Sequence, residues 1–437
     1  MRSFAVLSLV VVGALAACGG HTSSSNPAAP ADDAGATQTN GGDAGAAIPD
    51  AAIDTGPDLG SDVYPAPHHP IPLMTSLGGK VLANVKIVTV TYVGDAQRDM
   101  LRKFDDEIVK GPWWAMVSQG FGVGPGTSGG YVELPDDVSG KTLDNNSDLK
   151  PYLLDLVAAG KLPVPDENTL YALYFPPTTT ITLSGQFSCN DFGAYHDSSG
   201  FSVNGQTIEA AYAVMPDCGG GRTVSASHEF IEAATDAFPQ GNGAWRGWNL
   251  PWFGGISGGE SADLCEFLRS VSDSDTGQSV TRSWVNGAAA ASKDPCQPAD
   301  PRQPIYFNAA VDTTETQIVT TTAGSYKSEG FVTVARGTTR DVPVQVFSEA
   351  KLPHDLALYV GGAPKRVRGA PTDPTVMIPI ATGVTAKLSS ATGHNGTHPT
   401  LTITVDPKAP TGTYKFIVRS VLETADFRDW PAMLRVN

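Results

Sequence analysis

The chain has 437 residues, with 45 acidic against 29 basic side chains and a formal net charge of −16. That is more length than one ordinary domain needs, and it predicts two globular units plus non-globular sequence. The acidity excludes a nucleic-acid partner, because no basic stripe is available to displace counterions from phosphates.

Met1, Arg2 and Ser3 precede the apolar run "FAVLSLVVVGALAA" and Cys18. Residues 1–18 therefore predict a secretory signal peptide, too short for a membrane span. The ending "LAAC" resembles the lipobox of bacterial lipoproteins. That resemblance implies that Cys18 becomes the lipidated first residue of an exported lipoprotein, which touches the membrane through this anchor alone. Gly19 beside it implies the outer membrane or cell surface of a Gram-negative bacterium.

Residues 19–75 are small and polar, with almost no large apolar side chain, and cannot bury enough surface to offset the entropy of ordering. They hold seven aspartates (Asp32, Asp33, Asp43, Asp50, Asp54, Asp58 and Asp62) and no Lys or Arg. The expectation is a disordered acidic tether with a reach of roughly 40 Å.

Residues 76–300 change texture. "VKIVTVTYVGD" reads as a buried strand. "AQRDMLRKFDDEIVKGPWWAMVSQ" has helical periodicity broken at Gly111-Pro112. "NNSDLKPYLLDLVAAG" reads as a helix capped by Asn or Ser and stopped by Gly160. "TLYALYF" reads as a strand, and "SGFSVNGQTIEAAYAVMP" as a hairpin turning at Asn204-Gly205. The helix "SASHEFIEAATDAF" and a Trp- and Gly-rich loop over 241–259 follow. This order predicts an α+β, or mixed α/β, unit. Over 301–437 helical periodicity gives way to "GFVTVARG", "DVPVQVFSE", "DLALYVGG", "VMIPIA", "LTITVDP", "TYKFIVRSV" and "AMLRVN". These short strands predict an accessory immunoglobulin-like β-sandwich.

Beyond Cys18 the cysteines are Cys189, Cys218, Cys265 and Cys296, an even number that predicts two disulfides in an oxidising compartment. Three connectivities are open, of which Cys189 with Cys218 and Cys265 with Cys296 close the shorter loops. No two lie two to four residues apart, which excludes a cysteine zinc site.

Several stretches resemble, in order, the plant EXORDIUM or phosphate-induced extracellular family: "VKIVTVTYVGD", "PWW", "DLKPYLLDLVAAGKLP", "TLYALYF", "FSCNDFGAYHDSSG", "AYAVMPDC", "AATDAF" and "GGESADLC". The plant family has no established enzymatic activity and lacks the His-Glu pair at the "SHEFIEAATDAF" helix. That helix, "GGESADLC" and "TRSWVNGAAAASKDPC" also resemble bacterial secreted proteins that look like metallopeptidases.

In His-Glu-x-x-His peptidases two metal ligands stand one helical turn apart, and the intervening Glu acts as base on metal-bound water. His228 and Glu232 reproduce the i, i+4 pair, about 6 Å apart along the axis, with Glu229 in the base position. A carboxylate as second ligand is allowed and shifts preference toward harder cations, so zinc or another divalent metal is the expected cofactor. Glu260 is the candidate third ligand. Asp263, three residues on, resembles the supporting Asp of thermolysin-like peptidases, where the spacing is four. Asp236, about 12 Å along the axis from His228, is assigned a supporting place. His196 is a further candidate for metal binding or for steadying an intermediate. The same helix also divides into an apolar half and an acidic half, which suits an ordinary amphipathic helix with a solvated face.

Two functions follow. One is a lipid-anchored metallohydrolase with a zincin-like N-terminal domain and a peptide substrate. The other is a non-catalytic EXORDIUM-type module that binds a cell-surface polymer. Trp245, Trp248 and Trp252 are expected either to wall the site or to stack in the core. "GISGG" over 255–259 matches a nucleophile elbow without a preceding strand, and "DSDTG" over 273–277 reads as a turn, not a calcium loop.

Overall fold

The computed structural model describes residues 60–203, 205–239, 243–253, 259–266, 268–321, 324–362, 373–423 and 426–437. The signal peptide, Cys18, residues 19–59 of the tether and most of "GISGG" lie outside them. Residues 57–437 form one compact unit.

Its first half is built on a five-stranded sheet. In chain order the elements are β1 (Lys86–Tyr92), α1 (Arg98–Ile108), α2 (Pro112–Val117), β2 (Thr127–Leu134), α3 (Lys150–Ala158), β3 (Thr169–Tyr174), β4 (Tyr195–Val203), β5 (Gln206–Met215) and α4 (Arg222–Thr235). The strand order is β2-β1-β3-β5-β4, parallel except for β4, which runs antiparallel along β5 at the edge. Strands β1 and β3 are almost wholly buried, as parallel strands covered on both faces must be. Val90, Tyr171, Leu173, Tyr212 and Val214 face α3 through Leu153 and Leu156. On the opposite face Ile87, Leu170, Ala172, Ala211 and Ala213 join Leu101 and Phe104 of α1 and Phe230 of α4.

Local details depart from expectation. The helix at 145 begins as a π-turn capped by Asp144, whose side chain accepts from the Asn146 and Ser147 N–H groups; Asn and Ser are not the caps. Strand β2 was invisible to pattern because its exposed, Gly-containing sequence does not alternate cleanly. "DSDTG", by contrast, is the expected turn, in which Asp273 accepts from the N–H and hydroxyl of Thr276.

The short helix α5 (Leu250–Phe253) leads toward the second half, whose strands are β6 (Phe307–Val311), β7 (Glu315–Thr321), β8 (Gly324–Val334), β9 (Thr339–Ser348), β10 (Leu356–Gly361), β11 (Val384–Leu388), β12 (Thr392–Gly393), β13 (Thr400–Val405), β14 (Gly412–Glu423) and β15 (Asp426–Val436). They form a four-stranded sheet, β6-β9-β13-β11, and a six-stranded sheet, β7-β8-β15-β14-β10-β12. This is the expected β-rich sandwich. "VMIPIA" is not one of its strands: Ile378 makes only an isolated bridge to Gly362, because the segment supplies no continuous ladder.

Residues 60–75, expected to belong to the tether, are instead part of the folded unit. Residues 60–75 cross the sandwich as a strap that buries Ala66, Ile71 and Met74. Composition missed this because the strap is anchored chiefly by hydrogen bonds. The Asn395 side chain accepts from the Ala66 and Ser348 N–H groups at 3.0 Å each and donates to the carbonyls of Ser61 (2.9 Å) and Val63 (2.8 Å). His68 stacks on Phe347 with ring centroids 3.5 Å apart. The strap ends at Thr75–Ser76, which pairs with Trp245–Arg246.

Two predictions follow from these contacts. Burial pushes the Asp105 carboxyl from 3.8 up to about 7, outweighing the hydroxyls of Tyr174 and Thr89 that donate to it. The folded chain keeps this proton to near neutrality while the unfolded chain loses it in acid, so stability falls as pH rises between those limits and stays lower above them. The shift is worth on the order of 4 kcal/mol. Asp105→Asn should therefore raise the urea midpoint, relative to the parent, more at pH 8 than at pH 4.5; an equal difference at both pH values would refute the assignment. Asn395→Ala should cost about 1–3 kcal/mol for each backbone group left unpaired out of water. It should lower Tm and expose residues 60–68 to protease; unchanged digestion would mean that apolar packing alone holds the strap.

Candidate metal centre

Strand β5 ends at Met215, and Gly221, with φ of 71° in the left-handed region, turns the chain into α4. This helix does not have a solvated acidic face. Glu229 is 4% exposed, Glu232 2% and Asp236 1%, although they lie on the half that the sequence pattern marks as polar. Burying unpaired carboxylates is strongly unfavourable, so the ordinary amphipathic reading of the helix fails and the groups must compensate one another.

Three other segments complete the cluster, two bringing basic side chains and one bringing further carboxylates. Strand β4 delivers His196: side chains alternate along a strand, so Tyr195 and Asp197 face α3 while His196 points toward α4. Its register is held from the far side by a polar network. Asp197 accepts from Asn145 (2.9 Å) and pairs with Lys150 (2.9 Å), and the Tyr195 and Tyr212 hydroxyls donate to Asn145. The turn before and within the 3₁₀ segment Asp263–Cys265 delivers Glu260 and Asp263. The third segment is the strand pair with the strap, which presents Arg246.

The cluster has two lobes. His228 Nε2 stands 3.2 Å from Glu232 Oε2 and 3.5 Å from Asp263 Oδ1. His196 Nε2 stands 3.5 Å from Glu260 Oε1, and its Nδ1 stands 3.4 Å from Glu229 Oε2 and 4.0 Å from Glu232 Oε2. Arg246 approaches Asp236 Oδ2 at 2.5 Å and Glu260 Oε1 at 3.0 Å. Neither oxygen is in hydrogen-bond geometry, although both are shut off from solvent. Glu232 Oε1 accepts from the N–H groups of Ala262 (3.0 Å) and Asp263 (2.8 Å).

The ligand set expected from sequence is thereby rearranged. His228 and Glu232 do meet, but Glu260 joins His196, and Asp263, expected as a support, directly faces His228. Three-residue spacing over a tight turn points the two carboxylates to different lobes. Asp236 keeps its supporting place at the end of α4, accepting from the Ala244 N–H and pairing with Arg246. Sequence reasoning missed Arg246, which no local pattern distinguishes from its Trp- and Gly-rich loop. The three tryptophans take the core role: Trp245 meets Phe121 edge-on, Trp248 stacks on Tyr326 at 3.7 Å, and Trp252 meets Trp284 and Trp430 edge-on.

Without a bound cation the cluster balances its charge with protons. Burial tends to lower His196, but Glu260 and Glu229 outweigh it and raise the imidazole to about 10. The same competition, led by Glu232 and Asp263, raises His228. Burial raises Glu260 to about 7 and also raises Glu232 and Asp236, whereas the hydrogen bond from His228 holds Asp263 low. Two donor groups are close enough to hold a metal: His196, Glu232 and Glu260, and His228, Glu232 and Asp263, each with ligand atoms within 4.8 Å of one another.

The pairing Cys189–Cys218 joins the segment before β4 to the one before α4, and Cys265–Cys296 clamps the turn that carries Asp263. Both pairings are the expected ones, and both brace segments that form the cluster. They suit an oxidising, extracellular setting.

No family model and no curated protein matches the chain. Among solved structures it is similar, at 10% identity and a TM-score of 0.16, to domains 4 and 5 of the S-layer protein SbsC, over 39% of this chain and 99% of that one. A longer piece of SbsC aligns over 60% of this chain and 37% of its own length, at 10% identity and a TM-score of 0.17. Scores this low carry no argument about fold or function.

Arg246→Met should remove the guanidinium that faces Asp236 and Glu260 and destabilise the protein by about 3–5 kcal/mol, the cost of breaking a buried pair from one side. Thermal unfolding in chelator would read this as a fall in Tm; an unchanged Tm would mean that the histidines already supply the compensation.

Proposed function

We propose that the protein is a metal-dependent hydrolase acting on peptides. The observation that carries the reading is the convergence of His228, Glu229 and Glu232 on the buried face of α4 with His196, Glu260 and Asp263. Five carboxylates, Glu229, Glu232, Asp236, Glu260 and Asp263, share this space with Arg246 and two histidines. Such a donor set suits zinc or another divalent cation.

His228, Glu232 and Asp263 would hold the cation, with Glu260 and His196 beside them. When bound, it would act as a Lewis acid that makes water nucleophilic near neutral pH. Glu229 takes the proton of the attacking water, and the Nδ1 of His196, 3.4 Å from Glu229 Oε2, orients that carboxylate and steadies the proton. Arg246 keeps Asp236 and Glu260 in place. Strand β4 ends the five-stranded sheet and carries His196, so an extended peptide adding to that edge would lie beside the cluster; this supports a peptide as substrate. The sheet order, with its antiparallel edge strand next to the His-Glu helix, supports a zincin-like domain. The lipobox supports an exported lipoprotein anchored at the outer membrane or cell surface.

The test is hydrolysis of a mixed peptide library by the full chain, with its disulfides intact, alongside Glu229→Gln. The variant should keep its metal and lose turnover by about 10²-fold or more, the usual contribution of a general base. Retained turnover would refute the role of Glu229, and a metal-free, inactive parent would refute the reading itself.

A further inference from the structure

We infer that the centre is built for two divalent cations bridged by Glu232. This rests on the metal-dependent reading above and changes its stoichiometry.

Donors on one ion, each about 2.0–2.2 Å from it, stand no more than about 4.4 Å apart. Among the described residues the donors form two groups, one around each histidine, and no group within 4.8 Å takes in both histidines. One ion therefore leaves a histidine and a carboxylate over. Two ions use all of them: His196 with Glu260 for one, His228 with Asp263 for the other, and Glu232 for both.

Glu232 is prepared for the shared position. Its Oε1 is committed to two backbone N–H groups, which fix the carboxylate and leave Oε2 facing both histidines, 3.2 Å from His228 Nε2 and 4.0 Å from His196 Nδ1. Glu229 completes the second lobe. Its carboxylate meets His196 Nδ1 at 3.4 Å, on the side of the ring that Glu232 also faces, while Nε2 lies 3.5 Å from Glu260 Oε1 and 3.2 Å from the carbonyl oxygen of Asp236.

Charge points the same way. Five carboxylates and one guanidinium give a net of −4 when both histidines are neutral, as ligation requires. One divalent cation leaves −2 in a largely buried space; two bring it to zero. Mixed imidazole and carboxylate donors suit Zn²⁺ or Mn²⁺. A paired site of this kind would place the attacking water and polarise the scissile carbonyl oxygen of a peptide.

The experiment is metal counting on the full chain. The chelator-stripped protein would be dialysed against micromolar Zn²⁺ or Mn²⁺, with elemental analysis of both forms and electron paramagnetic resonance of the Mn²⁺ form. Two equivalents with an exchange-coupled manganese spectrum are expected. His196→Ala and His228→Ala should each retain one equivalent with an uncoupled spectrum, and Glu232→Ala should lose the coupling. The parent count does not depend on whether a variant folds. One equivalent in the parent would overturn the inference while leaving the single-ion hydrolase intact. Two equivalents without coupling would overturn the bridge, and a metal-free parent would overturn both this inference and the function it rests on.

Discussion

Negative charge held out of water is the constraint around which this protein is organised. Carboxylates that repel one another can share a buried space only if rigid neighbours keep them there and positive charge offsets them. The framework answers the first requirement at each segment. A disulfide fixes the segments that enter β4 and α4, another clamps the turn bearing Asp263, and the Asn145–Asp197–Lys150 network locks β4 from behind. Arg246 answers part of the second requirement, and its placement depends on the rest of the chain.

That dependence gives the sandwich a part in the site. Arg246 lies in a two-residue ladder with the strap, and the strap is fastened to the sandwich through Asn395 and Phe347. A few residues on, the Leu250 N–H donates to Ser328 of β8 and Trp252 packs on Trp430 of β15. The loop carrying the guanidinium is thus held at both ends by strands that contribute no donor to the cluster. A module that looks accessory in sequence is part of the scaffold that aims Arg246.

How much was legible follows from how local each signal is. The i, i+4 pair on α4 and the buried runs of β1 and β3 are properties of short windows, and periodicity finds them. Burial of the acidic face of α4 is not local, because it depends on what packs against that face, so the same pattern fitted a solvated helix equally well. His196 was a lone histidine until the start of β4 at Tyr195 fixed which way it points. Glu260 and Asp263 were read by analogy with a four-residue spacing, and the three-residue turn sends them to separate lobes. The strap escaped because most of its anchors are backbone groups held by distant side chains such as Asn395 and Asn286, which composition cannot weigh.

The Asn395 clasp also bears on how the molecule comes to exist. Ala66 and Asn395 are 329 residues apart, yet they share a hydrogen bond. During synthesis or export from the N-terminal end, the strap emerges well before Asn395, which lies among the last strands. Contacts of such long sequence separation form slowly and leave apolar surface open in the interval. Until those strands arrive the strap lacks its clasp, and the two-residue ladder that carries Arg246 lacks the mount that holds it.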